Sequence, residues 1–280
     1  MSHALTWLDV FTSTPLHGNA LAVVHDADDL SDATMLAFAR ETRLSETTFV
    51  QRSETADYRN RIWFPRGEMP FAGHPSLGTA VAVAAAAGVA RAGYVQQTIA
   101  GHQPVDVERG TQTWRASMLQ EVPQHGAELD AAAVLPAAGL TVADAHPELP
   151  IQVLSVGLPQ VIVPLTDAAA LERAQADYAL MCALLEPLGL DMLYLAVLDG
   201  QAAQSRALYL DYGFANEDPA TGSAAGSLVA YCHARGIASS LRIEQGVKLG
   251  RPSVLQAAIE GDRPRVSGDC VVLATGVLAF

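Results

Sequence analysis

The chain has 280 residues, half of them apolar, and a formal net charge of −13 at pH 7. A length well above the roughly 150 residues of a typical domain predicts two domains. The negative charge repels nucleic acid and anionic membrane surfaces, so we expect neither as a partner. The three cysteines, Cys182, Cys232 and Cys270, form no CxxC pair, and we interpret them as ordinary buried thiols.

No apolar run reaches the roughly 18 to 20 uncharged residues that are needed to span a bilayer. The longest candidate, residues 79–90, is shorter and rich in alanine. The N-terminal residues lack the basic region followed by an apolar stretch that is typical of a secretory signal. We therefore expect a soluble, cytoplasmic protein.

Strand-like segments dominate both halves of the chain. The first half contains LTWLDVFT, NALAVVH, ETTFVQR, RNRIWFP and VDVERG, and the second contains IQVLSV, QVIVPL, MLYLAVL, RALYLDYG and CVVLATG. Between the second and third of these, SDATMLAFARET predicts an amphipathic helix with Ser31 as its N-cap. Residues 131–150 are rich in Ala, Pro and Gly, and this composition predicts a linker.

The segment LSETTFV, residues 44–50, places a single acid in a strand whose other residues favour burial. Strand alternation puts Glu46 on one face together with Leu44, Thr48 and Val50. A carboxylate in an apolar pocket has its pKa raised towards neutral pH, as a proton shuttle requires. Alternatively, Glu46 is a rim carboxylate held by an arginine such as Arg43, which needs no function.

Two further helices each follow a glycine-rich turn. One follows GEMPFAGHPSLG and runs through TAVAVAAAA, and the other follows NEDPATGSAAG and runs through SLVAYCHAR. The first is apolar on all sides, so protein must enclose it, most simply a sheet wrapped around it. The glycines at 78 and 88 match those at 226 and 236 at a constant offset of 148, which favours internal duplication. We therefore predict two similar halves, each a sheet around a central helix.

Polar residues stand at both helix starts: His74 and Ser76 at the first, and Asp218, Thr221 and Ser223 at the second. Backbone N–H groups are unpaired there, so two halves facing each other across a pseudo-twofold axis would form a site for a small carboxylate. Alternatively, the glycines and hydroxyls only cap the helices, His74 is structural, and Asp218 begins a turn. The joint occurrence of Glu46, His74 and Asp218 favours a functional site.

An ordered set of motifs covers nearly the whole chain: DVFTSTPLHGNALAVV, LSETTFV, EMPFAGHPSLGTA, SVGLPQVIVPL, EDPATGSAAG and RIEQGVKLGRPS. In this order they resemble the PhzF-like family, the phenazine-biosynthesis isomerase group. The resemblance implies the diaminopimelate epimerase-like fold, an α/β (α+β) architecture of two pseudo-symmetric halves, each with a mostly antiparallel curled sheet around a central helix. We place the halves at 1–125, joined by the returning strand 271–280, and at 126–270.

The resemblance also implies the chemistry. Glu46 resembles the general acid/base that moves a proton within a small amino- or hydroxy-carboxylic acid, between ring carbons of trans-2,3-dihydro-3-hydroxyanthranilate in the type reaction. His74 and Asp218 resemble the groups that hold the substrate and assist transfer. Neither a metal nor an organic cofactor is implied, and family habit suggests a homodimer. The polar lining implied to bind substrate is Ser223 with the backbone of Gly73 and Gly222, and we add Ser76, at the first helix start, as a further candidate for substrate binding.

Two features depart from patterns known for this fold. Epimerases and racemases of the fold use a cysteine at each helix start, whereas this chain has His74 and Ser223, so two-base racemisation through cysteines is disfavoured. The first hairpin reads GNA instead of GNP, with Ala20 in place of proline. Motifs of hydrolases, zincins and nucleotide-binding proteins are absent from the sequence. Two other hypotheses stay open: a non-catalytic binder or regulator of the same fold, and an amino-acid epimerase without cysteine bases.

Overall fold

A computed structural model of the protein describes residues 2–211 and 213–279. These residues divide into two compact units. Gln120–Val266 form the second unit, and the remaining described residues form the first. The chain therefore leaves the first unit once and returns to it for its last strand.

Within the described residues, strands are far more numerous than helices. The helices are α1 (Asp32–Thr42), α2 (Gly73–Ala86), α3 (Ala131–Val134), α4 (Ala168–Arg173), α5 (Tyr178–Leu185) and α6 (Gly222–Ala234). The strands are β1 (Ser2–Val10), β2 (Asn19–Val24), β3 (Thr47–Gln51), β4 (Tyr58–Phe64), β5 (Gly67–Met69), β6 (Arg91–Thr98), β7 (Gly101–Arg109), β8 (Trp114–Leu119), β9 (Gln124–Leu129), β10 (Ile151–Ser155), β11 (Pro159–Pro164), β12 (Met192–Asp199), β13 (Ala202–Asp211), β14 (Phe214–Asp218), β15 (Ser240–Gln245), β16 (Ser253–Glu260) and β17 (Arg263–Ala279). Short 3-10 helices occupy Leu135–Ala138, Val142–Asp144, Glu186–Leu188 and Val247–Leu249.

The sheet of the first unit closes on itself. Its strands pair in the order β1, β2, β3, β4, β6, β7, β8 and β17, and β17 pairs back to β1. The pairs β2–β3 and β4–β6 are parallel, whereas β1–β2, β3–β4, β6–β7, β7–β8 and β1–β17 are antiparallel. Helix α2 contacts seven of these strands, from β1 to β8. The prediction of an apolar helix enclosed by a sheet is confirmed.

Helix α2 begins earlier than the sequence predicts. The turn GHPSLG belongs to the first turn and a half of the helix, so His74 is its second residue. Pro75 is compatible with this position, because the first four N–H groups of a helix have no partner within the helix and proline lacks one. The polar residues of the turn therefore project from a rigid helix end and not from a loop.

Helix α1 agrees with its prediction. The Ser31 side chain accepts a hydrogen bond from the backbone N–H of Thr34 at 3.2 Å, which makes it the N-cap. Met35 and Ala39 are buried on one face of the helix. Arg43 ends the helix in the left-handed conformation, with φ of 53°, and the chain turns from there towards β3.

The second unit is a sheet in which β9 to β13 pair in chain order, β13 then pairs with both β14 and β15, and β15 pairs with β16. Its parallel pairs are β11–β12 and β13–β15. Helix α6 contacts β10, β11, β15 and β16. All but two residues of α6 are buried, because alanine, glycine and serine let the strands approach closely.

The segment 131–150 is not a linker, so that prediction is wrong. It forms α3 and two 3-10 helices, and it contributes to the core of the second unit. The buried side chains it supplies include Val134, Leu135 and Leu140. These larger apolar residues among the alanines give the connection enough buried surface to pack, which composition alone does not reveal.

The two units repeat one order of elements. The series β1, β2, α1, β3, β4, β5, α2, β6, β7 and β8 corresponds to β10, β11, α4 with α5, β12, β13, β14, α6, β15, β16 and the first part of β17, residues 263–266, before β17 continues into the first unit. The parallel pairs also correspond, β2–β3 to β11–β12 and β4–β6 to β13–β15. The prediction of two similar halves is confirmed. No helix of the described residues is long and apolar enough to cross a membrane.

Candidate active site

Glu46 lies immediately before β3 and not within it, so the predicted strand begins too early. Strand pairing starts at Thr47, which is the first residue opposite both Ala22 of β2 and Trp63 of β4. The Glu46 side chain is 16% exposed. A residue at the end of a strand is positioned by the strand while its carboxylate stays outside the hydrogen-bonded ladder.

The structure brings Glu46 and His74 together, although 28 residues separate them in sequence. The distance from His74 Nε2 to Glu46 Oε2 is 3.4 Å. Burial lowers the pKa of His74 to about 3 because desolvation penalises the charged imidazolium. At neutral pH the imidazole of His74 is therefore neutral, so its contact with Glu46 is not a pair of opposite charges.

A third side chain contacts His74 from β2. Asn19 Nδ2 lies 3.2 Å from His74 Nδ1, and Asn19 is buried. The Ser45 hydroxyl donates to Asn19 Oδ1 at 3.4 Å. Sequence reasoning missed Asn19 and Ser45. Both stand in quoted motifs, GNALAVV and LSETTFV, but only the hairpin register and the helix position show that they meet at one imidazole.

The hydroxyls at the two helix starts do not cap the helices. Ala72 and Thr221 are the N-cap residues of α2 and α6, and neither makes a side-chain cap hydrogen bond. The Ser76 hydroxyl, which the sequence assigned to substrate binding, is buried and donates to the carbonyl of Ala72 at 2.7 Å. Gly73 is the first residue of α2, and Gly222 is the first residue of α6.

In the second unit, Asp218 stands at the end of β14 beside the start of α6. The Thr221 hydroxyl donates to Asp218 Oδ2 at 2.6 Å. Gln245 Nε2, on β15, donates to the Asp218 carbonyl at 2.8 Å and to Thr221 Oγ1 at 3.0 Å. Tyr194 donates to Gln245 Oε1 at 3.1 Å. The sequence pointed to Asp218 and Thr221, but Gln245 and Tyr194 were missed.

Ser223 is the second residue of α6, as His74 is the second residue of α2. A buried amide also holds it: Gln160 Nε2 donates to Ser223 Oγ at 2.9 Å, and Gln160 Oε1 accepts from Ser227 Oγ at 2.9 Å. Asn19 is the first residue of β2 and Gln160 is the second residue of β11, and these two strands correspond in the repeated series. The two units therefore use an amide from an equivalent strand to hold the second residue of the central helix.

The offset of 148 that aligns the helix glycines places Tyr194 opposite Glu46. Tyr194 is fully buried, and its hydroxyl bonds to Ser205 and Gln245. Burial raises the pKa of Tyr194 well above its ordinary value, so it does not exchange protons near neutral pH. The position equivalent to Glu46 in the second unit thus holds a structural phenol and no carboxylate.

The cysteines lie away from both helix starts. Cys232 is near the end of α6, Cys270 is in β17, and Cys182 is in α5. Cys232 and Cys270 are buried as predicted, and burial raises the pKa of each to about 12, whereas Cys182 is half-buried. Neither buried thiol ionises near neutral pH, so neither supplies a thiolate base. Residues 2–211 and 213–279 contain no group of three or more His, Cys, Asp or Glu side chains that could hold a metal ion.

Residues 8–276 match the family described as phenazine biosynthesis-like protein. The chain belongs to this family. It is 39% identical over 274 residues to trans-2,3-dihydro-3-hydroxyanthranilate isomerase of Pseudomonas aeruginosa, covering 95% of this chain and 93% of that protein. The resemblance recognised from the ordered motifs is confirmed, and so is the predicted class of enzyme, an isomerase.

Solved structures agree with the fold of this phenazine biosynthesis-like protein. A predicted epimerase from Pseudomonas aeruginosa is similar with a TM-score of 0.88 at 34% identity, over 99% of both chains. A phenazine biosynthesis protein of the PhzF family from Bacillus anthracis is similar with a TM-score of 0.89 at 25% identity, over 100% of both chains. The predicted diaminopimelate epimerase-like fold is confirmed.

Proposed function

We propose that this isomerase moves a proton within a small amino- or hydroxy-substituted carboxylic acid, without a cofactor, and that Glu46 is its general acid/base. One observation carries the proposal. The Glu46 carboxylate is largely buried at the end of a rigid strand, and a neutral histidine at a helix start lies 3.4 Å from it. A carboxylate with restricted solvation beside a group that does not compete for its proton suits acid/base work.

The proposed step needs no second reactant. The Glu46 carboxylate removes a proton from an acidic carbon of the substrate, and the electron pair of the broken C–H bond moves into the adjacent π system. The protonated Glu46 then delivers that proton to a second carbon of the same molecule. One C–H bond breaks and one forms, the product is an isomer, and Glu46 returns to its carboxylate state.

His74 and Asp218 are proposed to hold the polar groups of the substrate, as the resemblance implies. An ionised Asp218 would pair with an amine, and the uncapped N–H groups at the helix starts would accept a carboxylate. The Ser223 hydroxyl, fixed by Gln160 at 2.9 Å, adds a donor of defined position. These groups bind and orient, whereas Glu46 carries the proton.

The test is proton exchange in D2O. The protein is incubated with trans-2,3-dihydro-3-hydroxyanthranilate, the substrate named for the P. aeruginosa relative, and ring deuteration is followed by NMR for the wild type and Glu46→Gln. Because general acid/base catalysis contributes on the order of 10²- to 10⁴-fold, Glu46→Gln should slow exchange by that factor.

Glu41→Gln is a matched control, since it makes the same change at an exposed residue of α1. It should exchange at the wild-type rate. Exchange slowed less than tenfold in Glu46→Gln would show that Glu46 is a bystander. If the wild type binds this compound and a panel of other enolisable acids but exchanges none of them, the protein is a binder on the same fold.

Loss of optical rotation in an amino acid without formation of a positional isomer would support an epimerase instead. Racemisation needs a second group that delivers a proton to the opposite face of the carbon. The second unit offers little as a source of that group. The position equivalent to Glu46 holds Tyr194, whose buried phenol bonds to Ser205 and Gln245. This contrast favours a single base.

A further inference from the structure

We propose that Asn19 is a positioning residue that sets which nitrogen of His74 carries the proton, so that the imidazole N–H is directed at the Glu46 carboxylate. This inference deepens the proposed function and rests on it for the role of Glu46. The arrangement stands on its own, because hydrogen bonds link Ser45, Asn19 and His74, and a 3.4 Å contact joins His74 to Glu46.

The backbone holds Asn19 rigidly. Gly18 precedes it in the left-handed conformation, with φ of +68°, and a Cβ there would lie 2.3 Å from the carbonyl oxygen of Val10. Only glycine fits this turn. Asn19 itself pairs with Val10 as the first residue of β2 and is 2% exposed. The amide therefore reaches His74 from a fixed point of the β1–β2 hairpin.

The direction of the hydrogen bonds follows from what each group can do. An amide nitrogen only donates, so His74 Nδ1, 3.2 Å from Asn19 Nδ2, accepts. A neutral imidazole carries one N–H, which must then be on Nε2. Nε2 is the atom that faces Glu46 Oε2 at 3.4 Å. The Ser45 hydroxyl donates to the other end of the amide at 3.4 Å, which suits an oxygen there.

Two hydrogen bonds lead towards Glu46, one from the Ser45 hydroxyl to Asn19 and one from Asn19 to His74. His74 Nε2 then lies 3.4 Å from Oε2 of Glu46, the neighbour of Ser45 in the sequence, a contact that does not have the geometry of a hydrogen bond. A proton on Nε2 places a donor next to Glu46 Oε2, and a small movement of either side chain would complete the hydrogen bond. The opposite tautomer would set two lone pairs against each other and turn Glu46 away. The tautomer of His74 therefore decides whether Glu46 is a competent base.

The second unit supplies the matched comparison. Gln160 holds Ser223 at the second position of α6, as Asn19 holds His74 at the second position of α2. A serine hydroxyl has no tautomers, so the hydrogen bond from the Gln160 amide can orient Ser223 but selects no tautomer. Substituting Gln160 perturbs an equivalent hydrogen bond without contacting His74.

The experiment reads the tautomer directly. The protein is labelled with ¹⁵N-histidine, and long-range ¹H–¹⁵N correlation spectra distinguish the two tautomers; His74→Gln identifies the signals of His74 among the eight histidines. The wild type should show the proton on Nε2. Asn19→Asp should move it to Nδ1, because a carboxylate only accepts. Gln160→Glu should leave it on Nε2.

Activity is measured on the same variants. Asn19→Asp should lower kcat by at least about tenfold with a smaller change in KM, since a histidine locked in the wrong tautomer disables its partner. Asn19→Ser, which keeps a donor, should retain the Nε2 proton and more of the activity. A wild-type spectrum with the proton on Nδ1, or an Asn19→Asp spectrum unchanged from the wild type, would overturn the proposal.

The two proposals fail in distinguishable ways. If the wild type exchanges no proton in any substrate, the proposed function of Glu46 is wrong. The tautomer spectra still test the role of Asn19 in that case. If exchange depends on Glu46 but the spectra contradict the expected tautomer, only the role of Asn19 falls. Once His74→Gln has identified the His74 signals, the wild-type spectrum can decide against the role of Asn19 without any variant at position 19.

Discussion

Asp218 is held by side chains whose donors and acceptors match one another. Tyr194 donates to Gln245, Gln245 donates to Thr221, and Thr221 donates to Asp218 Oδ2. Each link therefore has one defined direction, and the last O–H points at the carboxylate. This hydrogen bond fixes the orientation of the Asp218 carboxyl group.

Thr221→Val keeps the shape of the side chain and removes the hydroxyl from this chain. It leaves one N–H of the buried Gln245 without its acceptor, so the free energy of unfolding should fall by about 1–3 kcal/mol. Thr221→Ser keeps the hydroxyl and should lose less. Urea unfolding followed by far-UV circular dichroism measures both, since all three tryptophans, Trp7, Trp63 and Trp114, lie in the first unit.

Thr166→Val is the control, because Thr166 is an exposed residue of the same unit. Exposed substitutions usually change stability by less than about 0.5 kcal/mol. An equal loss in Thr221→Val and Thr166→Val would mean that the hydroxyl of Thr221 contributes nothing to the fold. In the exchange assay, Thr221→Val should raise KM more than it lowers kcat, because it loosens a group that binds.

At the scale of single residues, the sequence identified the ionisable groups but not what holds them. Glu46, His74 and Asp218 stand out because each is a charged or titratable residue in an apolar or glycine-rich motif. Asn19, Gln160 and Gln245 do not stand out, since a buried amide in a strand has no periodicity or spacing of its own. Their roles depend on strand register, which brings residues distant in sequence into hydrogen-bonding range.

Helix α6 packs against β10 and the start of the second unit through a glycine. A Cβ at Gly226 would lie 1.6 Å from Gln120 Oε1 and 3.4 Å from Val156 Cγ2. Gln120 is itself buried, and its amide nitrogen donates to the Gly222 carbonyl at 3.1 Å. A side chain at this position therefore requires the buried Gln120 amide to shift.

Gly226→Ala should lower the free energy of unfolding by about 1–3 kcal/mol, the usual range for overpacking a core, although alanine is the better helix former. If Gln120 is the obstacle, Gly226→Ala should cost less in a Gln120→Ala background. Urea unfolding of the two single variants and the double variant gives the coupling energy. If the effects of Gly226→Ala and Gln120→Ala on the free energy of unfolding are additive, Gln120 is not the obstacle. The strain then lies elsewhere, for instance at Val156.

At the scale of elements, apolar periodicity and glycine spacing predicted α1 and both central helices, because a helix enclosed by a sheet must be apolar on all sides. The same reasoning misread two features. Residues 131–150 look like a linker by composition but pack as short helices. Glu46 looks like a strand residue, yet pairing begins only at Thr47, and register is not visible in a single strand.

The two units share their order of elements but differ in the chemistry of equivalent positions. Glu46 corresponds to Tyr194 at the offset of 148, and the second residues of the central helices are His74 and Ser223. The glycine spacing was enough to predict the duplication. It does not predict which copy retains titratable groups, because duplicated backbones tolerate different side chains at the same site.

The buried histidines make the stability of the first unit depend on pH. Burial lowers the pKa of His74 to about 3, and burial also lowers the pKa of His25, against the opposing charge of Asp26. An unfolded histidine has a pKa near 6.5, so between pH 6.5 and 3 the unfolded chain binds a proton that the folded His74 does not. The stability contributed by neutral His74 is thus complete above pH 6.5 and is lost as the pH falls.

In this pH window, each such histidine should lower the free energy of unfolding by up to about 1.4 kcal/mol for every unit by which the pH falls. Urea unfolding at pH 7, 6 and 5 measures the slope, and tryptophan fluorescence follows the first unit, which holds all three tryptophans. His74→Gln should reduce the slope by up to about 1.4 kcal/mol per pH unit, leaving the part due to His25. His125→Gln, which removes an exposed histidine of the second unit, is the control. Equal slopes for the wild type and His74→Gln would mean that His74 is charged in the folded state, and the contact with Glu46 would then be an ion pair.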